Sequence, residues 1–382
     1  MKIGIDIRCL ASGKKTGVEE YTVQLLENIF LRDRENTYIL FLNVYKNIDI
    51  DLNWIEHYPN VSVKRFRIPN KLLNFCLWYF RFPKIDRMLG GVDVFFMPNM
   101  NFIAVSKSVK LFVTAHDLSF ERYPEMFSWK RRVWHTLVNF RDLCHRAHHI
   151  FAVSESTKTD VMSIYGIPEK KVSAMLSGVS SKFTVMNRNS QELLVVKEKY
   201  GLPYKFILYL GTIEPRKNIV ALIRAYNRLQ ETDNEELHKY ALVIAGVSGW
   251  KCAEIFNEIK TSPFREHIIV TDFVDDDDKP ALYNLASLFV YPSFFEGFGL
   301  PPAEAMRCGV PVIVSFTSSF PEVVGDAGIM IDPYQPEDIF QAMQEVLLHK
   351  KLHDTLSKRG LERAKELNWQ KAAQDVSRHF RG

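Results

Sequence analysis

Short apolar runs alternate with helix-length stretches along this chain, and the alternation occurs in two successive series. The first series has strand-like runs at Ile3–Arg8, Tyr38–Asn43, Val61–Phe66, Val92–Met97, Leu111–Ala115 and Ile150–Val153. Most are continuous β-branched and aromatic runs, the pattern of strands buried on both faces. Val18–Leu31 lies between the first two, with Val18, Leu25 and Ile29 at helical spacing. Strand–helix–strand alternation of this kind builds a parallel, doubly wound sheet.

The alternation fades over Ser180–Tyr204, where SSKFTVMNRNSQ is polar and aperiodic and reads as a linker into a helix. It resumes with strands at Phe206–Leu210, Ala241–Ala245, Ile268–Thr271, Leu288–Tyr291, Pro311–Ser315 and Ile329–Ile331. Helices are expected near Asn218–Gln230, Lys279–Ala286, Pro302–Arg307 and Glu337–His349, with a terminal helix over Trp369–Phe380. A chain of 382 residues, at ~150 per domain, fits two such domains. The expected division is 1–182, 183–366 and a terminal helix, 367–382, that crosses back to the first domain. Tandem α/β domains create a deep cleft at the strand C-termini, where ligands bind.

Composition narrows the class. With 47% hydrophobic and 25% charged residues, the chain is an ordinary globular one. Its five cysteines (Cys9, Cys76, Cys144, Cys252, Cys308) are odd in number and lack a CxxC pair, which suits reduced thiols in the cytoplasm. The opening MKIGIDIRCL reads as a strand, because Asp6 and Arg8 interrupt any signal-like apolar core. No run reaches the ~18 apolar residues of a membrane span. A net charge of +4 does not point to nucleic acid.

The motif with the most chemical content is Glu296-Gly-Phe-Gly-Leu-Pro-Pro-Ala-Glu304, after the strand LFVYPS. Gly297 and Gly299 permit a sharp turn and close ligand approach. Pro301 or Pro302 suits a first helical turn. Free amides and the helix dipole there favour a phosphate or sugar oxygen. The two carboxylates, with Glu304 expected in the first turn, can accept hydroxyl hydrogen bonds at opposite ends of a ligand. A plain strand-to-helix turn with surface glutamates is the alternative.

A second motif, Gly211-Thr-Ile-Glu-Pro-Arg216-Lys217-Asn218, sits where a strand ends and a helix begins. Arg216 can fork two phosphate oxygens and Lys217 adds a point charge. Cations at that helix end oppose the dipole, so the arrangement is mildly unfavourable without an anion; a solvated pair at a helix start is the alternative. His116-Asp117 follows Leu111–Ala115 and would face the cleft, although a lone histidine at a strand end is more often structural.

The pattern Glu296 to Glu304 resembles the E-x7-E motif of the retaining GT-B glycosyltransferases of family 4. LGTIEPRKN, VIAG, YPSFFEGFGLPPAEAMRCGVPVIVS and EVVGDAGIMIDP resemble that family through the second half. IDIRCL followed by TGVEEYT is most similar to bacterial GDP-mannose-dependent mannosyltransferases of O-antigen synthesis. The resemblance implies a hexose, mannose from GDP-mannose first and a UDP-sugar second, moved to a saccharide acceptor on a polyprenyl lipid. It implies front-face attack with retention and no metal cofactor. It places the enzyme in the cytoplasm, at the inner face of the plasma membrane.

The resemblance also implies residue roles. Arg216 and Lys217 match the positions that neutralise the donor diphosphate. Glu304 matches the ribose carboxylate and Glu296 the one near the hexose. Phe298, Gly299 and Leu300 would offer backbone amides to the sugar and phosphate. Thr271–Val274, including Phe273 and Val274, matches the edge that holds the base, and Thr212 and Gly246 line the donor. Gly17, in Thr16-Gly17-Val18, stands in a glycine-poor version of the loop after the first strand. His116 would contact the hexose through its ring or carbonyl, and Asp117 could orient it.

Other clusters carry competing readings. Asp275–Asp278 has DxD spacing but precedes a helix, so capping and dipole effects explain it better than a metal. Cys144, His145, His148 and His149 lack a second spaced pair for zinc, although His145 and His149 would share a helical face. Lys71–Leu89 and Trp129–Arg146 mix aromatics with cations and read either as membrane-surface segments or as core helices with basic outer faces. An epimerase or phosphorylase on the same fold, or a non-catalytic sugar-nucleotide-binding subunit, remains as a rival function; donor hydrolysis with and without acceptor separates them.

Overall fold

A computed structural model describes residues 1–12, 17–45 and 50–381. The chain divides into two units. The first holds Met1–Arg122, Trp129–Gly178 and Asn368–Gly382; the second holds Tyr123–Ser128 and Val179–Leu367.

Seven parallel strands form the sheet of the first unit: β1 (Lys2–Asp6), β2 (Thr37–Asn43), β3 (Val61–Phe66), β4 (Val94–Met97), β5 (Lys110–Ala115), β6 (His149–Ala152) and β7 (Val172–Ala174). Their order is β3-β2-β1-β4-β5-β6-β7. β1 stops at Asp6, shorter than expected. Asp6 accepts from the Arg8 backbone N–H (3.0 Å) and from its guanidinium (Nη2, 2.5 Å), and this turns the chain into a 3-10 helix, Arg8–Ser12. β7 was not anticipated. Its three residues are too few to show a period.

The second sheet has six parallel strands: β8 (Phe206–Leu210), β9 (Ala241–Ala245), β10 (Ile268–Asp272), β11 (Leu288–Tyr291), β12 (Val312–Ser315) and β13 (Ile329–Ile331). Their order is β10-β9-β8-β11-β12-β13. Every residue of β8, β9, β11 and β12 is buried. Helices on both faces explain why these strands read as unbroken apolar runs. Helix Ile219–Gln230, for example, buries Ile219, Leu222, Ile223, Tyr226 and Leu229. Each sidechain of this kind contributes roughly 1.5–3 kcal/mol by leaving water. Both units are doubly wound α/β sheets.

The terminal helix, Trp369–Arg381, belongs to the first unit. Its Trp369 ring meets Tyr21 edge-on at 5.5 Å, and Phe380 packs 5.5 Å from Phe96 and 5.1 Å from Phe112. Gly178 allows the closest approach, since a Cβ there would lie 2.2 Å from the Trp369 amide.

Tyr123–Ser128 groups with the second unit, not the first as the sequence division had it. The indole of Trp250 donates to the Met126 carbonyl (2.7 Å) and stacks on Phe127 at 5.7 Å. The main boundary falls at Gly178/Val179, a few residues before the expected one.

Two further expectations are corrected. His145 and His149 do not share a helical face: helix Phe140–Arg146 ends between them and His149 begins β6, facing Ser173 at 2.8 Å. Asp278 precedes helix Lys279–Leu285 without a side-chain cap. The acidic run is used in ion pairs instead, Asp275 and Asp278 each 2.6 Å from Lys199, and Asp276 with Lys279.

Candidate functional site

In a doubly wound sheet, strands on either side of the point where the order reverses send their following loops in opposite directions and leave a crevice between them. In the second unit that point lies between β8 and β11. The Gly211–Asn218 loop follows β8 and the Pro292–Gly299 loop follows β11, so both expected motifs emerge there.

The first loop is shaped by close backbone crossings. Gly211 N–H donates to Ala245 O at 2.9 Å, and Ile213 N–H to Val247 O at 2.9 Å. Gly246 has φ +132°, and a Cβ there would sit 2.1 Å from the Gly211 carbonyl oxygen. Tyr209 donates to the Thr212 carbonyl at 3.1 Å. A 3-10 turn, Pro215–Lys217, then ends at Asn218 in the left-handed region (φ 56°), which Asn tolerates better than most residues. Asn218 is held by its side-chain amide, which donates to Pro333 O at 2.6 Å.

That turn aims both cations at the second loop. Arg216 Nη2 donates to Glu214 Oε1 (2.9 Å), while Nη1 donates to Phe295 O (2.5 Å) and lies 3.0 Å from Glu296 Oε1. Lys217 donates to Tyr291 Oη (2.8 Å) and pairs with the same Glu296 oxygen. Ser293 adds a third donor to Glu296 Oε1 at 2.9 Å. Glu214, Lys217 and Glu296 are buried. The anion that the cations call for at this helix start is therefore present within the fold, as two carboxylates.

Burial alone would raise the Glu296 carboxyl. The charges of Arg216 and Lys217, with the hydrogen bonds from Lys217 and Ser293, outweigh it and hold the group at about 2. Lys217 is pushed down by burial and by Arg216, while Glu296 and Glu214 pull it back up.

The second loop continues into helix Leu300–Arg307, entered through Gly299 at φ +94°. A Cβ at Gly299 would lie 2.9 Å from the Phe320 ring. Phe298 is buried, and its carbonyl accepts from Ser319 at 2.8 Å. Because the helix starts at Leu300, Glu304 falls in its second turn rather than its first. Glu304 Oε2 accepts from Tyr283 at 2.8 Å, apart from the Glu296 cluster. Pro301 and Pro302 have no amide hydrogen, so of the first four helical residues only Leu300 and Ala303 retain a donor. At the end of β10 a register shift carries Asp272 to φ 55°. Phe273 is then exposed while Val274 is buried.

The other expected residues lie in the first unit. His116 follows β5, and its Nε2 is 2.8 Å from the Pro98 carbonyl, which only accepts. That contact assigns the proton to Nε2 and leaves Nδ1 as an acceptor. Burial lowers the His116 pKa, against the opposing pull of Pro98 and Asp117, and so favours the neutral ring. The edge of the ring meets Tyr21 at 4.7 Å. Asp117 does not orient it: Asp117 Oδ1 accepts from the Ser119 amide (2.8 Å) and hydroxyl (2.5 Å), starting helix Ser119–Arg122. Gly17 opens helix Gly17–Arg32, and Gly13–Thr16 of the expected loop lie outside the described residues.

Sequence reading did not single out Glu214, Tyr283, Tyr291 or Ser293. Glu214 stands two residues before Arg216 and Ser293 three before Glu296, so a loop-wide search for polar partners would have found both. The tyrosines lie on a helix and a strand, far from their partners in sequence.

Residues 191–363 match the family described as "Glycosyl transferases group 1", and residues 16–183 match "Glycosyltransferase Family 4". The O-antigen chain mannosyltransferase B of Escherichia coli is 34% identical over 271 residues, covering 71% of this chain and 70% of that one. The chain belongs to the GT-B glycosyltransferases of the family 4 group. Another relative of this glycosyltransferase is the serotype-specific mannosyltransferase WbdA of Escherichia coli, 38% identical over 230 residues, 60% of this chain and 28% of that one. The fold matches that of Anabaena Alr3699/HepE, solved in complex with UDP and glucose, with a TM-score of 0.75, 16% identity and 100% of each chain covered. No described helix of this glycosyltransferase is long and apolar enough to cross a membrane.

Proposed function

We propose that this glycosyltransferase moves mannose from GDP-mannose, with retention of configuration, to a saccharide acceptor on a polyprenyl lipid in O-antigen or polysaccharide synthesis. The observation that carries the reading is the meeting of Arg216, Lys217 and Glu296 at the switch point of the second sheet. The mannosyltransferase names of its relatives support the sugar.

In this reading the donor diphosphate displaces Glu296 as the partner of the two cations, and the released carboxylate accepts hydroxyls of the hexose. Thr212 and Gly246 border the diphosphate. Phe298, Gly299 and Leu300 line the sugar and phosphate, with Phe298 and Gly299 shaping the turn and Leu300 retaining its amide. Glu304, steadied by Tyr283, takes the ribose, and Phe273 and Val274 border the base. His116 is the candidate of the first unit for the hexose, and Gly17 for the donor or acceptor.

In the transfer, the bond between the anomeric carbon and the phosphate oxygen breaks, and both electrons leave on the diphosphate. The acceptor oxygen bonds to the same face of that carbon. Its proton passes to the departing phosphate oxygen, giving GDP. Arg216 and Lys217 stabilise the charge that grows on the leaving group. No metal is invoked: the two cations supply the countercharge, and Asp275, Asp276 and Asp278 are engaged with lysines.

UDP-sugars are the second donor class, favoured by the HepE complex. The test is thermal stabilisation by GDP, UDP and ADP, followed by GDP-mannose turnover on a lipid-linked oligosaccharide with the product anomer assigned by NMR. GDP should stabilise most, and Arg216→Ala with Lys217→Ala should abolish both effects. Preference for UDP overturns the donor, an inverted product overturns retention, and unchanged binding and turnover in the double variant overturns the site. Binding without turnover on any acceptor supports a non-catalytic subunit instead.

A further inference from the structure

The first unit exposes large apolar side chains in two segments. Helix Asn70–Phe75 continues into a π-helical turn, Cys76–Phe80. Leu73 and Leu77 are buried and fasten this segment to the core. The rest of its apolar surface faces outward: Phe75 is 48% exposed, Trp78 44%, Tyr79 66%, Phe80 62% and Phe82 65%. The rings cover one another rather than the protein, with Phe75 stacked on Tyr79 at 5.7 Å and Phe80 edge-on to Tyr79 at 4.9 Å.

The second segment is helix Trp129–Val138, which has no buried residue at all. Trp129, Val133, Trp134 and Leu137 are all exposed. A ten-residue helix has little stability of its own in water. His135 stacks on Phe120 at 4.1 Å and Val138 packs against the core, but both tryptophans stay exposed. Arg81 of the first segment pairs at 3.6 Å with Asp142 of helix Phe140–Arg146, the helix that follows the second segment. Trp134 also meets Phe102 of the unit core at 6.3 Å.

Charge identifies the occupant. Between Val61 and Ile85 there are six cations (Lys64, Arg65, Arg67, Lys71, Arg81, Lys84) and no acid. Between Met126 and Arg141 there are Lys130, Arg131, Arg132 and Arg141, again with no acid. The whole chain is only +4, so the remainder is net negative and these cations are concentrated in the stretches that carry the exposed rings. Exposed Trp, Tyr and Phe flanked by Lys and Arg match the headgroup layer of a bilayer, where rings enter the interface and cations meet lipid phosphates.

We infer that these two segments form one surface by which the first unit docks on an anionic lipid bilayer. The lipid-linked acceptor reading gives this docking its purpose, but its test needs no sugar nucleotide, so either can fail alone.

The full chain is sedimented with vesicles of phosphatidylcholine, alone or with about a third phosphatidylglycerol. It should bind the anionic vesicles, bind the neutral ones far less, and be released as salt shortens the screening length. Lys130→Gln with Arg132→Gln should weaken binding about 30-fold, at ~1 kcal/mol per cation. Trp78→Ser with Tyr79→Ser should remove it, with Tm and turnover on a short soluble acceptor unchanged and turnover on a vesicle-borne acceptor reduced. The inference is overturned if the wild-type chain ignores anionic vesicles or if both variants bind as it does. It is equally overturned if the surface instead joins two copies, seen as self-association that Trp78→Ser with Tyr79→Ser abolishes without any vesicle binding.

Discussion

Glu214 holds Arg216 from the protein side: its Oε1 accepts from Nη2 at 2.9 Å, and its side chain is only 3% exposed. Two cations and two acids thus balance in a buried cluster. Glu214→Gln keeps a hydrogen bond and removes the charge. Breaking a buried pair in this way should cost about 3 kcal/mol of stability. Saturating GDP should then raise the Tm of the variant more than that of the wild type, because an anion restores the balance. An equal or smaller rise would show that Glu214 is not the countercharge.

Glu296 gives the fold a pH dependence of known sign. Its folded pKa, about 2, lies below the ordinary 4.5. The stabilisation is complete above 4.5 and fades as pH falls towards 2. Its full size is about 3 kcal/mol, from 1.36 kcal/mol per unit. Urea unfolding of Glu296→Gln against the wild type between those limits should show a difference that narrows with acidity. A constant difference would remove Glu296 as the titrating group.

Tyr283 donates to Glu304 Oε2 at 2.8 Å, and in the proposed donor site it would act on the ligand only through that carboxylate. Tyr283→Phe should raise KM for the nucleotide sugar about tenfold and leave kcat nearly intact. A donor lacking the ribose 2′-hydroxyl should discriminate less between variant and wild type. Equal losses on both donors would point to a role in packing alone.

Gly246 is required by both its φ of +132° and the Gly211 carbonyl beside it. Gly246→Ala should lose more than about 2 kcal/mol in thermal or urea unfolding. A neutral outcome would mean that the crossing of the two loops is looser than the geometry indicates.

Phe380, fully enclosed against Phe96 and Phe112, ties the terminal helix to the first sheet. Phe380→Ala should cost about 3–5 kcal/mol. Hydrogen exchange should show protection lost first along Trp369–Arg381 and β4. Exchange unchanged there would mean that the helix is held by its other contacts.

Much of the second sheet was legible because β8, β9, β11 and β12 are buried on both faces and leave unbroken apolar runs. β7 and the end of β1 were not. One is too short for a pattern, and the other is cut by an Asp6–Arg8 contact that the alternation of apolar residues does not show. The acidic run 275–278 looked like helix capping because capping is local, whereas its lysine, Lys199, lies on a helix 76 residues earlier.

The sequence by itself determined the class of fold, the family and the two loops that carry the charged motifs. Those depend on residue type and local order: apolar runs for strands, glycine where φ must be positive, acids and cations at strand ends. Only the tertiary structure decided that Glu296 and the cations form one cluster while Glu304 belongs to another, that Asp117 serves Ser119 rather than His116, and that helix Trp129–Val138 leaves both its tryptophans exposed. Pairing of that kind rests on which strands are neighbours in the sheet, and chain order does not reveal it when the partners stand 79 residues apart, as Lys217 and Glu296 do.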